Sequence, residues 1–253
     1  SGRSHTLYRK DVFNEKQTRW TRFISLKEAF ARSINTAFGR LGLKVGPKKL
    51  FEYARRFGFN QLFDTDFPLP MSQMSIVRND SWSLVEAASG FNDATTLSPI
   101  HGAILAATIA NDGIMMAPYV VKEANSADGK IHYEAKPSLA AQPVSLRTSE
   151  ELQVLMQETI KRGTSRKAFR KVLRKKLYAE VQFGGKTGSL QGHDPKGRTD
   201  WFVGFMKYKG RKIAIGAVSV HEKIWRVRSS QMALSWFEEY LYNMIKEENN
   251  FES

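Results

Sequence analysis

The sequence has 253 residues, enough for one large domain or two small ones, and 42% of them are hydrophobic, with 16 Phe and 5 Trp. That composition can bury a sizeable core and excludes a disordered chain. The absence of cysteine excludes a disulfide framework, a thiolate metal site and a cysteine nucleophile, while a formal net charge of +14 points to an anionic partner or simply to a well-solvated basic surface.

Residues 1–24 are polar and mixed, without clear periodicity. Ser25-Leu26-Lys27-Glu28 then reads as a capping box, in which the serine caps the Glu28 N–H and Glu28 reaches back. Leu26, Ala29, Phe30 and Ile34 share a face of the helix that follows. Ser33 and Asn35 come near its end, with Gly39 and Gly42 as terminators. A second helix is expected from Pro47 to Arg56, with the proline in its first turn. Gly58 to Asp80 is loop-like, with Pro68 and Pro70. Ser98-Pro99 opens an apolar helix, Ile100 to Ala110, closed by Asn111-Asp112-Gly113. Its Gly and Ala residues suit close helix packing.

Met115 to Glu123 reads as a strand, and Ser126 to Lys130 as a turn with a hairpin partner beyond it. Ser149-Glu150-Glu151 begins a helix through Lys161. A basic cluster runs from there to Lys176, with Phe169, Val172 and Leu173 as an apolar face at helical spacing. Gln182 to Ser189, Trp201 to Tyr208 and Lys212 to Val220 read as three strands. Tyr208-Lys209-Gly210-Arg211 is a tight hairpin. Ser229 or Ser230 caps a last amphipathic helix through Lys246. Helices early and strands late argue for an α+β fold, with helices packed on a central antiparallel sheet.

Two short patterns carry chemistry. Lys186-Thr187-Gly188 follows Gly184 and Gly185 on a strand. Gly185 and Gly188 keep the strand face bare, so a substrate backbone can lie along it, and Lys186 and Thr187 offer a cation and a hydroxyl to a carboxylate. Alone, the triplet equally fits a strand with a surface lysine. Ser33-Ile34-Asn35 has the form Ser-x-Asn at a helix end: its hydroxyl can relay a proton and its amide can hold a carbonyl. Alone, these are ordinary helix-terminus residues.

Together, and in this order, the two patterns resemble the signature of serine β-lactamases and penicillin-binding proteins, with Ile34 in place of the usual Asp. The segment from Ser25 to Asn35 resembles the helix leading into that family's second motif. Thr96-Leu97-Ser98-Pro99 and Ile109-Ala110-Asn111-Asp112-Gly113 resemble its middle region. Gly163-Thr164, Gly185 to Ser189 and Asp200 to Phe205 resemble its C-terminal part. The resemblance runs from about Ile24 to Val220 and is nearest the transpeptidase domains of high-molecular-mass penicillin-binding proteins, including the bifunctional class A type.

The resemblance implies a peptidoglycan D,D-transpeptidase that cross-links stem peptides through a serine acyl-enzyme. β-Lactams would be its inhibitors. Ser33 would relay a proton to the leaving group. Asn35 would orient the peptide carbonyl, and Lys186 would set the local field. Thr187 would bind the terminal carboxylate on the strand that Gly188 leaves open. The Ser189 backbone N–H would form half of an oxyanion hole, a donor typically worth ~3 kcal/mol of barrier. No metal or organic cofactor is implied, and the scattered histidines (His5, His101, His132, His193, His221) lack helical zinc spacing. Nucleic acid is not an expected partner, since the basic cluster has few interleaved aromatics.

The family's nucleophile, in S-x-x-K, is not found. Thr164-Ser165-Arg166-Lys167 holds a T-x-x-K far downstream of Ser-x-Asn, and Ser126 meets a lysine only at Lys130. Three explanations remain: residues 1–253 are the C-terminal portion of one transpeptidase domain whose upstream segment carries the nucleophile; the chain is a non-catalytic scaffold binding cell-wall peptide or a partner protein; or a residue in 1–24 substitutes. The first is preferred, because the start reads as a cut inside a longer protein and the other motifs are intact. It carries two expectations: an extracytoplasmic location with a membrane anchor upstream, and a sheet whose otherwise open edge is covered, with no bare edge strand beside Lys186.

Overall fold

In the computed structural model of the protein, residues 7–14, 23–193, 196–222, 224 and 227–251 are described, so most of the N-terminal stretch lies outside them. Its one described helix, α1 (Arg9–Phe13), brings Val12 together with Leu7 and Val85 in a small apolar cluster.

Ser25 caps α2 (Leu26–Ala31), accepting from the Glu28 N–H at 3.2 Å. The other half of the expected box is not used: Glu28 turns forward and pairs with Arg32 at 3.0 Å. The helix also stops sooner than its apolar periodicity implies. A new helix, α3 (Asn35–Val45), starts at Asn35 and runs through Gly39 and Gly42. Those glycines are therefore packing positions and not terminators. A Cβ on Gly42 would sit 2.3 Å from the Ala88 Cβ, and one on Gly39 would sit 2.8 Å from Val85 Cγ1. Gly46, at φ 81°, ends α3, and α4 (Pro47–Arg56) follows with the expected boundaries.

The helix that α3 packs against, α5 (Ser81–Ser89), was not expected from sequence. Its signals are present, since the Asp80 carboxylate accepts from the Trp82 N–H and Gly90 closes the helix in the left-handed region. Next comes α6 (Pro99–Ala110), capped by Ser98. The expected strand from Met115 to Glu123 splits into β1 (Met115–Met116) and β2 (Glu123–Asn125). Pro118 has no N–H for a ladder, and the Val120 and Val121 N–H groups bond the Asp66 carboxylate instead. The hairpin from β2 to β3 (Ile131–Glu134) forms as expected, and β1 pairs with β4 (Leu139–Ala141).

Ser145 starts α7 (Leu146–Lys161), one turn before the expected Ser149. Ser149 is buried inside it, donating to the Ile109 carbonyl at 2.7 Å. The basic cluster forms α8 (Arg166–Phe169) and two 3-10 turns, Val172–Arg174 and Lys176–Tyr178. Phe169 and Val172 are buried as expected, but Leu173 faces out.

Three antiparallel strands, β5 (Gln182–His193), β6 (Lys196–Tyr208) and β7 (Arg211–His221), make the central sheet in that order. β5 starts at the expected Gln182 and runs on to His193, β6 starts earlier than expected and ends at the expected Tyr208, and β7 gains one residue at each end. Lys209 and Gly210, both at positive φ, make the tight turn between β6 and β7. The last helix, α9 (Ser229–Phe251), is longer than expected. The result is an α+β layered fold. Phe205 packs with Ile109 and Met156 of α6 and α7 on one face, while Phe202 and Met206 pack with Phe237 and Leu241 of α9 on the other. Each such ring, once buried, contributes roughly 1.5–3 kcal/mol.

Both outer strands have a single strand neighbour among the described residues. At the β5 edge, α7 packs against the strand and residues 183–185 are buried, whereas Lys186 to Gln191 keep partial or full exposure, so the expected cover beside Lys186 is only partial. The far edge is at β7. There Val220 is exposed, and α9, which packs against β6 and β7, also exposes Met232, Trp236 and Tyr240.

Candidate active site

At the end of α2 the chain makes a tight stop. The Ser33 N–H bonds the Phe30 carbonyl at 3.1 Å and the Ile34 N–H bonds the Ala29 carbonyl at 2.9 Å. These are the two bonds of a Schellman motif, which needs a left-handed residue between them. That residue is Ser33, at φ 53°. Glycine adopts this conformation freely, whereas serine is strained by about 1–2 kcal/mol. The turn aims the Ser33 hydroxyl away from both helices. Asn35 begins α3 two residues on, half-buried, and its amide has no hydrogen-bond partner among the described residues.

The central sheet brings Lys186 to the same place. Its ammonium donates to the Ser33 hydroxyl at 2.8 Å and to the Thr187 carbonyl at 2.6 Å. It also lies 5.9 Å from the centre of the Phe30 ring, within cation–π range. Lys186 keeps some exposed surface, yet protein surrounds its ammonium, and no carboxylate pairs with it among the described residues. Burial therefore lowers its pKa to about 8. At neutral pH about a tenth of such an amine is neutral and able to accept a proton. Because Lys186 donates to the Ser33 oxygen, the Ser33 hydrogen is left to donate into the cleft.

Thr187 meets a residue to which the sequence reading gave no role. Its hydroxyl lies 2.5 Å from that of Thr164, just after α7. The Thr164 N–H bonds the Ala31 carbonyl at 3.0 Å, and a Cβ on Gly163 would stand 2.1 Å from that same oxygen. Gly163 thus lets the loop close onto α2, which sets Thr164 against Thr187. The two hydroxyls share one hydrogen bond and keep one O–H for an outside acceptor such as a carboxylate. Gly163-Thr164 was visible as a likeness, but only tertiary contact gives it a place. Lys167, the lysine of its T-x-x-K pattern, stays exposed.

The strand face differs from expectation at one glycine. Gly185 is no bare surface: the Phe202 ring covers it, 2.3 Å from where a Cβ would be, and Phe205 covers Gly184 in the same way on the other face. These glycines let aromatic rings lie on the sheet. Gly188 matches the expectation better, since only the Trp201 side chain comes near its missing Cβ, at 3.4 Å. Ser189 is exposed at its outer end, and its hydroxyl lies 3.3 Å from the buried carboxylate of Asp200. Asp200 in turn accepts from the Ser229 N–H at 2.8 Å, which ties β5 and β6 to the start of α9.

Comparison with known proteins adds to this geometry. The family model for the penicillin binding protein transpeptidase domain matches residues 4–239. The peptidoglycan D,D-transpeptidase PbpA of Mycolicibacterium smegmatis is 32% identical over 208 residues, 77% of this chain and 38% of that protein. PbpA of Mycobacterium tuberculosis is 32% identical over 221 residues, 84% of this chain and 42% of that protein. The structure of penicillin-binding protein A from M. tuberculosis as an imipenem acyl-enzyme complex superimposes with a TM-score of 0.74 at 28% identity, covering 86% of this chain and 47% of that one. The chain thus spans about two fifths of the length of the curated relatives it matches. Both relatives are PbpA-type D,D-transpeptidases, which does not support the bifunctional class A type expected from sequence.

Proposed function

The chain belongs to the penicillin-binding-protein transpeptidase family, and from that premise we propose that it is the C-terminal portion of a PbpA-type peptidoglycan D,D-transpeptidase domain. The observation that carries this reading is the 2.8 Å bond between Lys186 and Ser33, which joins the two family motifs across 153 residues.

In this reading a serine supplied from outside the present sequence attacks the D-Ala-D-Ala bond of a stem peptide. Ser33 and Lys186 carry the proton towards the leaving amine. Asn35, whose amide has no partner among the described residues, holds the peptide carbonyl. The outward O–H of the Thr164–Thr187 pair and the Lys186 field take the terminal carboxylate. The peptide lies along Gly188, and the Ser189 N–H faces the developing oxyanion. A second strand's amine then resolves the acyl-enzyme. β-Lactams stall at that stage, as imipenem does in the M. tuberculosis neighbour, described as an acyl-enzyme complex.

Three observations support a nucleophile upstream. No S-x-x-K occurs in the 253 residues. The relatives are more than twice as long as the matched region. The β7 edge, which has a single strand neighbour among the described residues, and the exposed Trp236 and Tyr240 of α9 suit further strands and a helix of the same domain. An extracytoplasmic site of action, with an anchor in that upstream part, follows from the same reading; no described helix is long and apolar enough to cross a membrane.

The test is intact mass after incubation with penicillin, on this chain and on a version extended upstream. A gain of one drug molecule only in the extended protein is expected. No gain in either would favour a non-catalytic scaffold that binds cell-wall peptide or a partner protein. A gain in this chain alone would put the nucleophile within these residues, with residues 1–24 the first place to look.

A further inference from the structure

Between Lys161 and Glu180 the chain carries nine basic residues and one acidic one, a large share of the net +14. The segment is held in place from beneath, because Phe169, Val172 and Tyr178 are buried in the core under the sheet. Its cations are therefore fixed on the outside. Arg166, Lys167, Arg170, Lys171, Arg174 and Lys176 are all exposed, and none has an acidic partner among the described residues. Two leucines stand among them, Leu173 at 39% exposure and Leu177 at 55%. Beside Leu177 a groove of about 380 Å³ opens between the second 3-10 turn and α9, lined by Tyr178, Leu241, Tyr242 and Ile245, with Lys246 and with Glu238, which pairs with the Tyr178 hydroxyl and Lys175, as its charged residues.

We propose that this face docks on a bilayer surface rich in anionic lipid. Charge alone would fit any polyanion. The exposed leucine pair and the mainly apolar groove beside the cations decide between them. A soluble polyanion gains nothing from either, whereas a bilayer pairs its headgroups with the cations and takes the leucines into the boundary above the acyl chains. Each basic residue near such a surface strengthens binding roughly fivefold at physiological salt. The surface starts two residues after Thr164, so docking would also set the direction in which the Thr164–Thr187 side of the cleft faces. The proposal stands on this face alone and does not depend on the transpeptidase reading.

The experiment is co-sedimentation of the protein with vesicles of phosphatidylcholine alone or with added phosphatidylglycerol, over a salt series, with polyphosphate as soluble competitor. Expected is binding to the anionic vesicles only, weakening steeply with salt. The triple variant Arg170→Glu, Lys171→Glu, Arg174→Glu should lose about a hundredfold or more in partitioning. The double variant Leu173→Ser, Leu177→Ser keeps every charge and should lose roughly tenfold. All five positions are exposed, and circular dichroism checks the fold of each variant. Absence of binding to anionic vesicles overturns the proposal. So does binding that polyphosphate abolishes and the leucine substitutions leave unchanged, which would assign the face to a soluble polyanion.

Discussion

Lys186 donates to Ser33 at 2.8 Å, and Ser33 receives it from a left-handed turn at φ 53° that serine adopts only under strain. The contact is made of two unlike parts. One is a cation that the sheet buries without a counter-charge. The other is a hydroxyl that a helix stop projects toward it. Each is costly on its own, and each is placed by structure distant in sequence. Strain held at such a point suits a site where position matters more than stability.

The strain at Ser33 sets the order of stabilities of its variants. Ser33→Ala and Ser33→Gly both remove the hydroxyl and its bond to Lys186. Alanine keeps a Cβ in the left-handed region, whereas glycine is free there but loses more chain entropy on folding. Ser33→Gly should therefore be the more stable of the two by about 1 kcal/mol in urea unfolding, although glycine is the weaker choice inside a helix. In the upstream-extended protein both should slow β-lactam acylation by about a hundredfold or more, as expected for loss of a proton relay. Equal stabilities would mean that the turn is not held as described.

Lys186 has a pKa lowered to about 8 by burial, against 10.5 when unperturbed. Between those values the unfolded chain holds a proton that the folded chain has released. Stability therefore rises with pH across the window, and the penalty is fully present below about pH 8. Lys186→Met removes the charge at similar volume. It should raise stability at pH 7 by up to about 3 kcal/mol and flatten the rise between pH 8 and 10.5. Unfolding midpoints over that range, with and without the substitution, measure it. A variant that keeps the full rise would show that Lys186 is not the group responsible.

Gly163→Ala tests how Thr164 is placed. The added Cβ would stand 2.1 Å from the Ala31 carbonyl oxygen and 2.7 Å from the Thr159 Cα, both backbone atoms with little room to move. The loop must lift from α2, breaking the 3.0 Å bond from the Thr164 N–H and pulling its hydroxyl from Thr187. The cost should be roughly 1–3 kcal/mol of stability. Thr164→Val leaves the backbone alone and removes only the hydroxyl. If the pair binds a carboxylate, both variants should weaken β-lactam capture by the extended protein, and Thr164→Val should do so with a smaller loss of stability. Unchanged capture in both would remove Thr164 from the site.

Much of the frame is legible in the sequence because it rests on local signals. Pro47, Ser98-Pro99 and Lys209-Gly210 each dictate a helix start or a turn by their own backbone preferences. Ser33 and Lys186 were also legible as motif members. What sequence could not supply is the reason for each glycine. Gly39 and Gly42 look like stops but allow α3 and α5 to touch, and Gly185 looks like open strand but lies under Phe202. Those meanings belong to the neighbour across the contact, which no local pattern names. Thr164 was out of reach for the same reason, since its partner is 23 residues away. The helix α5 is the opposite case, with an Asp80 cap and a Gly90 stop in plain view.

His101 gives a test of the fold apart from the site. It is fully buried on α6, with Phe59 and Phe63 rings centred 4.8 and 5.1 Å from its own. Its Nε2 lies 2.8 Å from the Phe57 carbonyl oxygen, which only accepts, so the hydrogen sits on Nε2. Nδ1 has no partner. A second proton there would place an unsolvated charge among aromatic rings, and burial accordingly lowers the pKa below 6.5. The sign follows directly. Below pH 6.5 the unfolded chain takes up a proton that the folded chain refuses, so stability present above that pH is lost as the pH falls. The slope from this one group is at most about 1.4 kcal/mol per pH unit. His101→Gln can keep an N–H for the Phe57 carbonyl but cannot titrate. It should be less stable than the natural protein at pH 8 and should lose less on going to pH 5. Urea midpoints of the two proteins that fall in parallel from pH 8 to pH 5 would show that another group sets the acid limit.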